Sequence, residues 1–105
     1  MSTIPAFTQK EFESRTKKGN WIIDFWAPWC NPCTILAPEV EAAAKRLHGK
    51  VEFAKINIDD ELELAQQYEM MSITTLLFVK DGTVVHRSVG VIDADEIVQL
   101  ANDSF

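Results

Sequence analysis

The sequence predicts an α/β domain. Three observations carry that expectation. Capped, amphipathic segments alternate with short strand-like runs, the pattern of helices laid against a sheet. The run Trp21-Ile22-Ile23-Asp24-Phe25-Trp26 is apolar on both faces except for one aspartate, as a central strand covered on both sides would be. Lys80-Asp81-Gly82 separates two further strand-like runs and reads as a hairpin turn. The predicted order is β-α-β-α-β-α-β-β-α, beginning with a weak strand before Thr8.

Each element has a local reason. Thr8 and Glu11 form a capping-box pattern, and Phe7 and Phe12 flank it at staple spacing. A short helix should therefore start near Gln9 and end before Gly19. The long helix is expected over residues 33–47, with Asn31 as N-cap and Pro32 at its first position. Ile35, Leu36, Val40, Ala43, Ala44 and Leu47 supply its apolar stripe. Pro38 lies inside it and removes one backbone donor, which should kink the axis. Gly49 fits its stop. Residues 51–58 form the second strong strand. Asp59 or Asp60 is the expected cap of a short acidic helix reaching about Tyr68. Residues 75–79 and 83–89 are the hairpin strands. Asp93, with Glu96 three residues on and the pair Ile92 and Ile97, opens the last helix.

The chain has 105 residues, which suits one domain spanning 1–105 with a single modest core. Its net charge of −6 argues against nucleic acid and against anionic membranes, both of which recruit basic surfaces. No apolar run approaches the ~20 residues that cross a bilayer. No charged start followed by an apolar run marks a secretory signal, so a cytoplasmic protein is expected.

The two cysteines, Cys30 and Cys33, are three positions apart. A disulfide closing so short a loop removes little unfolded-state entropy, so the pair is poorly placed to stabilise and better placed to react. Thiol–disulfide exchange requires a thiolate. Cys30 falls where a buried strand gives way to a helix, and free N–H groups with the positive end of the helix dipole favour an anion there. Cys33 lies one turn further in. Cys30 is therefore expected to be an exposed attacker and Cys33 a shielded resolver. Asp24 is the candidate base for Cys33, with a pKa raised by burial, and Lys55 on the neighbouring strand is its candidate ionic partner.

Plainer readings stand beside these. A lone CxxC could be half a zinc site, but His48 and His86 are not spaced as the other half and read as surface residues. Asp24 could be a structural, hydrogen-bonded aspartate. Trp21 reads as a packing residue, whereas Trp29, next to Cys30, reads as part of an exposed binding surface.

The run from Asp24 to Cys33, Asp-Phe-Trp-Ala-Pro-Trp-Cys-Asn-Pro-Cys, closely resembles the active-site signature of the thioredoxin family. The resemblance continues through Pro38, residues 54–59 (AKINID), 73–78 (ITTLLF), 80–82 (KDG) and Val89-Gly90, and so covers essentially the whole chain. It implies a thioredoxin fold, with a central five-stranded mixed sheet flanked by four helices. It implies a protein dithiol–disulfide oxidoreductase that serves in electron transport, recharged by a thioredoxin reductase and acting on disulfide-containing client proteins. No cofactor is implied beyond the redox-active disulfide Cys30–Cys33. The resemblance assigns Cys30 as nucleophile, Cys33 as resolver, and Asp24 with Lys55 as the pair tuning the resolver. It also implies a substrate groove formed by Trp29, Asn31, Pro32, Ile73, Thr74, Gly90 and Val91. In that groove the Ile73 backbone pairs with an extended client segment. A monomer is expected.

Three positions depart from the family pattern. Asn31 replaces the usual glycine, and Thr34 replaces a common lysine. Thr74 stands where the family has a cis-proline. A cis bond before a non-proline residue costs ~2.5–4 kcal/mol, so a trans Ile73–Thr74 bond is expected here. Loss of the shielding proline also opens an alternative reading. In it, Cys30 and Cys33 hold a metal or an iron–sulfur cluster, shared between two chains. A third reading keeps the groove as a binding module without thiol chemistry.

Overall fold

The computed structural model describes residues 4–67 and 73–105. Four strands, β1 (Asn20–Trp26), β2 (Glu52–Asn57), β3 (Thr75–Lys80) and β4 (Thr83–Val89), form one sheet in the order β2-β1-β3-β4. β1 runs parallel to β2 and antiparallel to β3, and β3 is antiparallel to β4. Four helices accompany them: α1 (Gln9–Arg15), α2 (Asn31–Arg46), α3 (Leu62–Gln67) and α4 (Ala94–Ser104). The expected fifth strand is reduced, among the described residues, to an isolated parallel bridge between Ala6 and Lys55. Phe7 N donates to the Lys55 carbonyl and Lys55 N to the Pro5 carbonyl. Proline has no N–H to extend a ladder, which confines the pairing to this point.

Strand alternation divides the core between the two faces of the sheet. Ile22, Phe53, Leu76 and Phe78 face α2 and α4, where Leu36, Val40, Ala43, Leu47, Ile97 and Ala101 cover them. Trp21, Ile23, Phe25, Ala54, Ile56, Leu77 and Val79 face the other way, onto Phe7, Phe12 and Leu64. This two-sided cover is why β1 is apolar at odd and even positions alike. It also decides where Asp24 goes. Position 24 shares a face with Ile22, so its carboxyl lies under α2.

The termini of the elements follow side-chain chemistry. Thr8 caps α1, its Oγ1 accepting the Glu11 N–H while Glu11 Oε1 accepts the Thr8 N–H. Thr8→Ala removes half of this exchange and is expected to cost about 1 kcal/mol, read from urea unfolding. Asp93 accepts the Glu96 N–H at 2.9 Å and opens α4 as expected. α2 passes through Pro38 and ends at Leu47, ahead of Gly49 at φ +85°. Between β3 and β4, Asp81 and Gly82 have φ of 49° and 83°, the paired positive values of a two-residue hairpin turn.

Two expected caps are corrected. Neither Asp59 nor Asp60 caps α3, which begins only at Leu62. Asn57 instead closes the turn after β2. Its carbonyl accepts from Asp60 N and Glu61 N, and its side chain accepts from Asp59 N. Tyr68, the expected end of that helix, lies outside the described residues. The N-cap of α2 is Cys30 rather than Asn31, which is already helical, and Pro32 follows within the first turn. Cysteine takes the capping place because its sulfur reaches the Cys33 N–H at 3.2 Å.

Candidate active site

Parallel pairing of β1 and β2 brings their C-terminal ends to one edge of the molecule, where the loops that follow them meet. Trp26 and Asn57 are register partners at that edge, and Ile58 N donates to the Trp26 carbonyl at 2.9 Å. The loop after β1 carries Cys30, and the first turn of α2 carries Cys33. The two are joined as a disulfide with their Cα atoms 5.3 Å apart. The Cys33 N–H directed at Cys30 Sγ is one of the free donors of the helix N-terminus. It would serve a thiolate at the same position.

Cys30 is not the exposed residue expected from the sequence. Cys30 and Cys33 are 4% and 5% exposed. Bonding to Cys33 folds the Cys30 sulfur back onto the helix turn, and Ala27, Trp26, Ile58 and Ile73 pack around the pair. The exposed apolar surface lies beside the disulfide, with Trp29 at 66% and Val91 at 45%. Trp29 is anchored there, its indole N–H donating to the Asp59 carboxylate at 3.0 and 3.2 Å. Asp59 was legible in the sequence only as a helix cap. Its contact with Trp29 exists because the loops after two parallel strands share an edge.

Asp24 lies beneath this site, 8% exposed. Burial raises its carboxyl to about 6 from an ordinary 3.8. Two smaller effects oppose the rise: the positive charge of Lys55, its register partner on β2, and the hydroxyl of Thr74. The hydroxyl lies near enough to favour the anion but outside hydrogen-bonding geometry. Asp24 Oδ1, Thr74 Oγ1 and Trp26 Nε1 all lack a hydrogen-bond partner among the described residues. Lys55 also places its ammonium 5.6 Å from the centre of the Trp26 ring.

The remaining predicted groove residues are distributed around the disulfide. Asn31 and Pro32 are exposed on the first turn of α2. Ile73 packs against the cysteines. Thr74 is 1% exposed, and its carbonyl accepts the Gly90 N–H at 2.9 Å, which ties the segment before β3 to the end of β4. The Ile73–Thr74 peptide bond is cis, against the expectation of trans. That expectation weighed only the local preference of an amide, whereas the tie to Gly90 and the burial of the side chain are tertiary. His48 is exposed as expected. His86 is half-buried, its ring edge-on to Phe78 with centroids 5.3 Å apart. Among the described residues, no three or more His, Cys, Asp or Glu side chains converge as a metal site. No helix among them is long and apolar enough to cross a membrane.

A disulfide at a helix N-terminus, a buried carboxyl beneath it and an exposed aromatic beside it define the class of thiol–disulfide oxidoreductases. Comparison with known proteins narrows the class. Residues 3–103 match the thioredoxin family profile. The chain is 41% identical to a thioredoxin of Bacillus subtilis over 102 residues, covering 97% of both chains. It is 37% identical to a thioredoxin of Staphylococcus aureus over 97 residues, covering 92% of this chain and 93% of that one. A mitochondrial thioredoxin of Mus musculus is 41% identical over 89% of this chain and 54% of its own length. The chain belongs to the thioredoxin family and is a protein disulfide oxidoreductase that works through its own disulfide.

Proposed function

We propose that the chain is a single-domain, monomeric, cytoplasmic thioredoxin that reduces disulfides in client proteins by dithiol exchange and is recharged by a thioredoxin reductase. The observation that carries the assignment of roles is the capping geometry at Cys30. Once the disulfide is reduced, the Cys33 N–H and the helix dipole favour a thiolate at Cys30, which attacks a client disulfide. The Cys30–client mixed disulfide forms and the first client thiolate leaves. Cys33 then gives its proton to the Asp24 carboxylate and attacks the Cys30 sulfur. The Cys30–Cys33 bond forms and the second client thiolate leaves. Lys55 holds part of the Asp24 charge, so that the carboxyl can exchange a proton near neutral pH rather than remain permanently protonated.

Client binding fits the apolar surface of Trp29, Ile73 and Val91, with Gly90, Asn31 and Pro32 around it. An extended segment could pair with the Ile73 backbone, which reads peptide with little sequence demand. The acidic chain would favour partners with basic patches.

Equilibration with a glutathione or dithiothreitol redox buffer tests this reading, followed by the fluorescence of the tryptophans near the disulfide. A reversible two-electron couple is expected, between about −270 mV for a general reductant and about −180 mV for an exchange catalyst. No reversible couple would overturn the reading.

A further inference from the structure

Asp24 and Thr74 each bury a polar atom without a hydrogen-bond partner among the described residues: the carboxyl Oδ1 of one and the hydroxyl of the other. The two residues share a side of the sheet. Asp24 is the register partner of Leu76, and Thr74 stands two positions before Leu76, so strand alternation directs it to the face under α2. Thr74 is held in that place, 1% exposed and with its carbonyl accepting the Gly90 N–H. A buried acceptor and a buried donor left apart are each costly, and one hydrogen bond between them removes both costs. The hydroxyl is already close enough to favour the charged carboxyl. A carboxylate turns readily about its terminal torsion, and a hydroxyl proton swings to suit its acceptor, so the remaining gap can close without moving the backbone.

We propose that Thr74 is a positioning residue for resolution: its hydroxyl donates to the Asp24 carboxylate and holds it, charged and oriented, to take the Cys33 proton. The proposal rests on the reading of Asp24 as that base and adds the residue that prepares it. The other groups around Asp24 act differently. Lys55, from β2, favours the anion through its charge, and its ammonium is set towards the Trp26 ring. Cys33, from α2, is the source of the proton. Thr34 and Glu41, also of α2, border the cavity behind the disulfide together with Asp24, and a second carboxylate there opposes an anion rather than supporting one. The Trp26 indole, on the same strand, donates to nothing among the described residues. Thr74 is the neutral donor whose effect reaches the Asp24 charge. A proline at this position would have neither a hydroxyl nor an N–H to donate. The base of this chain therefore ionises more readily than the same fold would allow with proline there.

The first test is direct. The Asp24 carboxyl is titrated by carbon-13 NMR in the oxidised protein, where neither cysteine ionises, and Asp24→Asn identifies its signal. Thr74→Val, close to threonine in shape, and Thr74→Pro are expected to raise the midpoint by about one pH unit, the loss of a hydrogen bond to a charged acceptor. Thr74→Ser keeps the hydroxyl and should leave the midpoint nearly unmoved. An unmoved midpoint in Thr74→Val, or an equal rise in Thr74→Ser, would overturn the hydrogen bond. The second test is the pH profile of mixed-disulfide resolution, followed by stopped-flow fluorescence. With the midpoint starting from about 6, Thr74→Val should resolve about fivefold more slowly near pH 6 and at nearly the unaltered rate above about pH 8, while Thr74→Ser keeps the original profile. A loss in Thr74→Val of the same size at every pH would make Thr74 structural and overturn the positioning role. If Asp24→Asn resolves at the unaltered rate, the base reading itself fails, and the titration still judges the hydrogen bond. If Asp24→Asn is slow but the Thr74→Val profile does not move, the base reading stands and the positioning role is lost.

Discussion

Cys30→Ser is expected to bring client reduction down to the uncatalysed level, whereas Cys33→Ser is expected to accumulate a client covalently held on Cys30. The asymmetry follows from the position of each sulfur. Cys30 occupies the cap of α2, where a backbone N–H already points at its sulfur, so it is the cysteine whose anion the fold favours. A serine hydroxyl there is far too weak an acid to take over. Cys33 lies inside the first turn and acts only after the mixed disulfide exists. Without it, the second displacement lacks its attacking sulfur, and the covalent complex persists until an external thiol resolves it. Non-reducing electrophoresis of each variant with a disulfide client reads both outcomes. Full turnover by Cys30→Ser, or trapping by Cys30→Ser rather than Cys33→Ser, would reverse the assignment.

Asp24→Asn is expected to stabilise the oxidised protein at neutral pH while slowing its chemistry. The carboxyl is raised by burial from 3.8 to about 6. Between those values the folded state binds more protons than the unfolded state, so stability falls as pH rises through this window and levels off above it. The shift corresponds to roughly 3 kcal/mol lost at pH 7, and the melting point of a domain this size should rise on the order of 10 °C when the charge is removed. Because asparagine leaves a polar amide in the same partnerless position, the pH dependence is the cleaner readout. The difference in unfolding free energy between the two proteins should vanish below about pH 3, grow between the two pKa values and reach its full value by about pH 7. Resolution of the mixed disulfide should slow by up to about a hundredfold, the loss of a general base. A difference independent of pH would mean that Asp24 ionises as it does in water. Asp24 thus illustrates a functional group held at the expense of stability.

Much of this protein is legible in its sequence because the signals are local. The capping box at Thr8, the cap at Asp93 and the Asp81-Gly82 turn are decided within a few residues, by which side-chain oxygen reaches which N–H or which residue tolerates positive φ. The double-sided apolar run of β1 announces a central strand for the same reason. A CxxC pair between a strand-like run and a helix-like one places a dithiol at a helix N-terminus from spacing alone. The pairing of Asp24 with Lys55 is also legible once both strands are recognised, since parallel neighbours bring them into register.

What the tertiary structure decided are the quantities that depend on residues far apart in sequence. The burial of Cys30, the anchoring of Trp29 by Asp59, the tie of the Thr74 carbonyl to Gly90, and the bridge of Ala6 to Lys55 all arise from the packing of separate segments of the chain. So does the cavity behind the disulfide, which Asp24 of β1, Lys55 of β2 and Cys33 of α2 line together. Local propensity specifies a residue's own backbone and its immediate neighbours. Solvent exposure, desolvation of a charge and the meeting of two loops are set by packing, and packing exists only when the whole chain has closed around them.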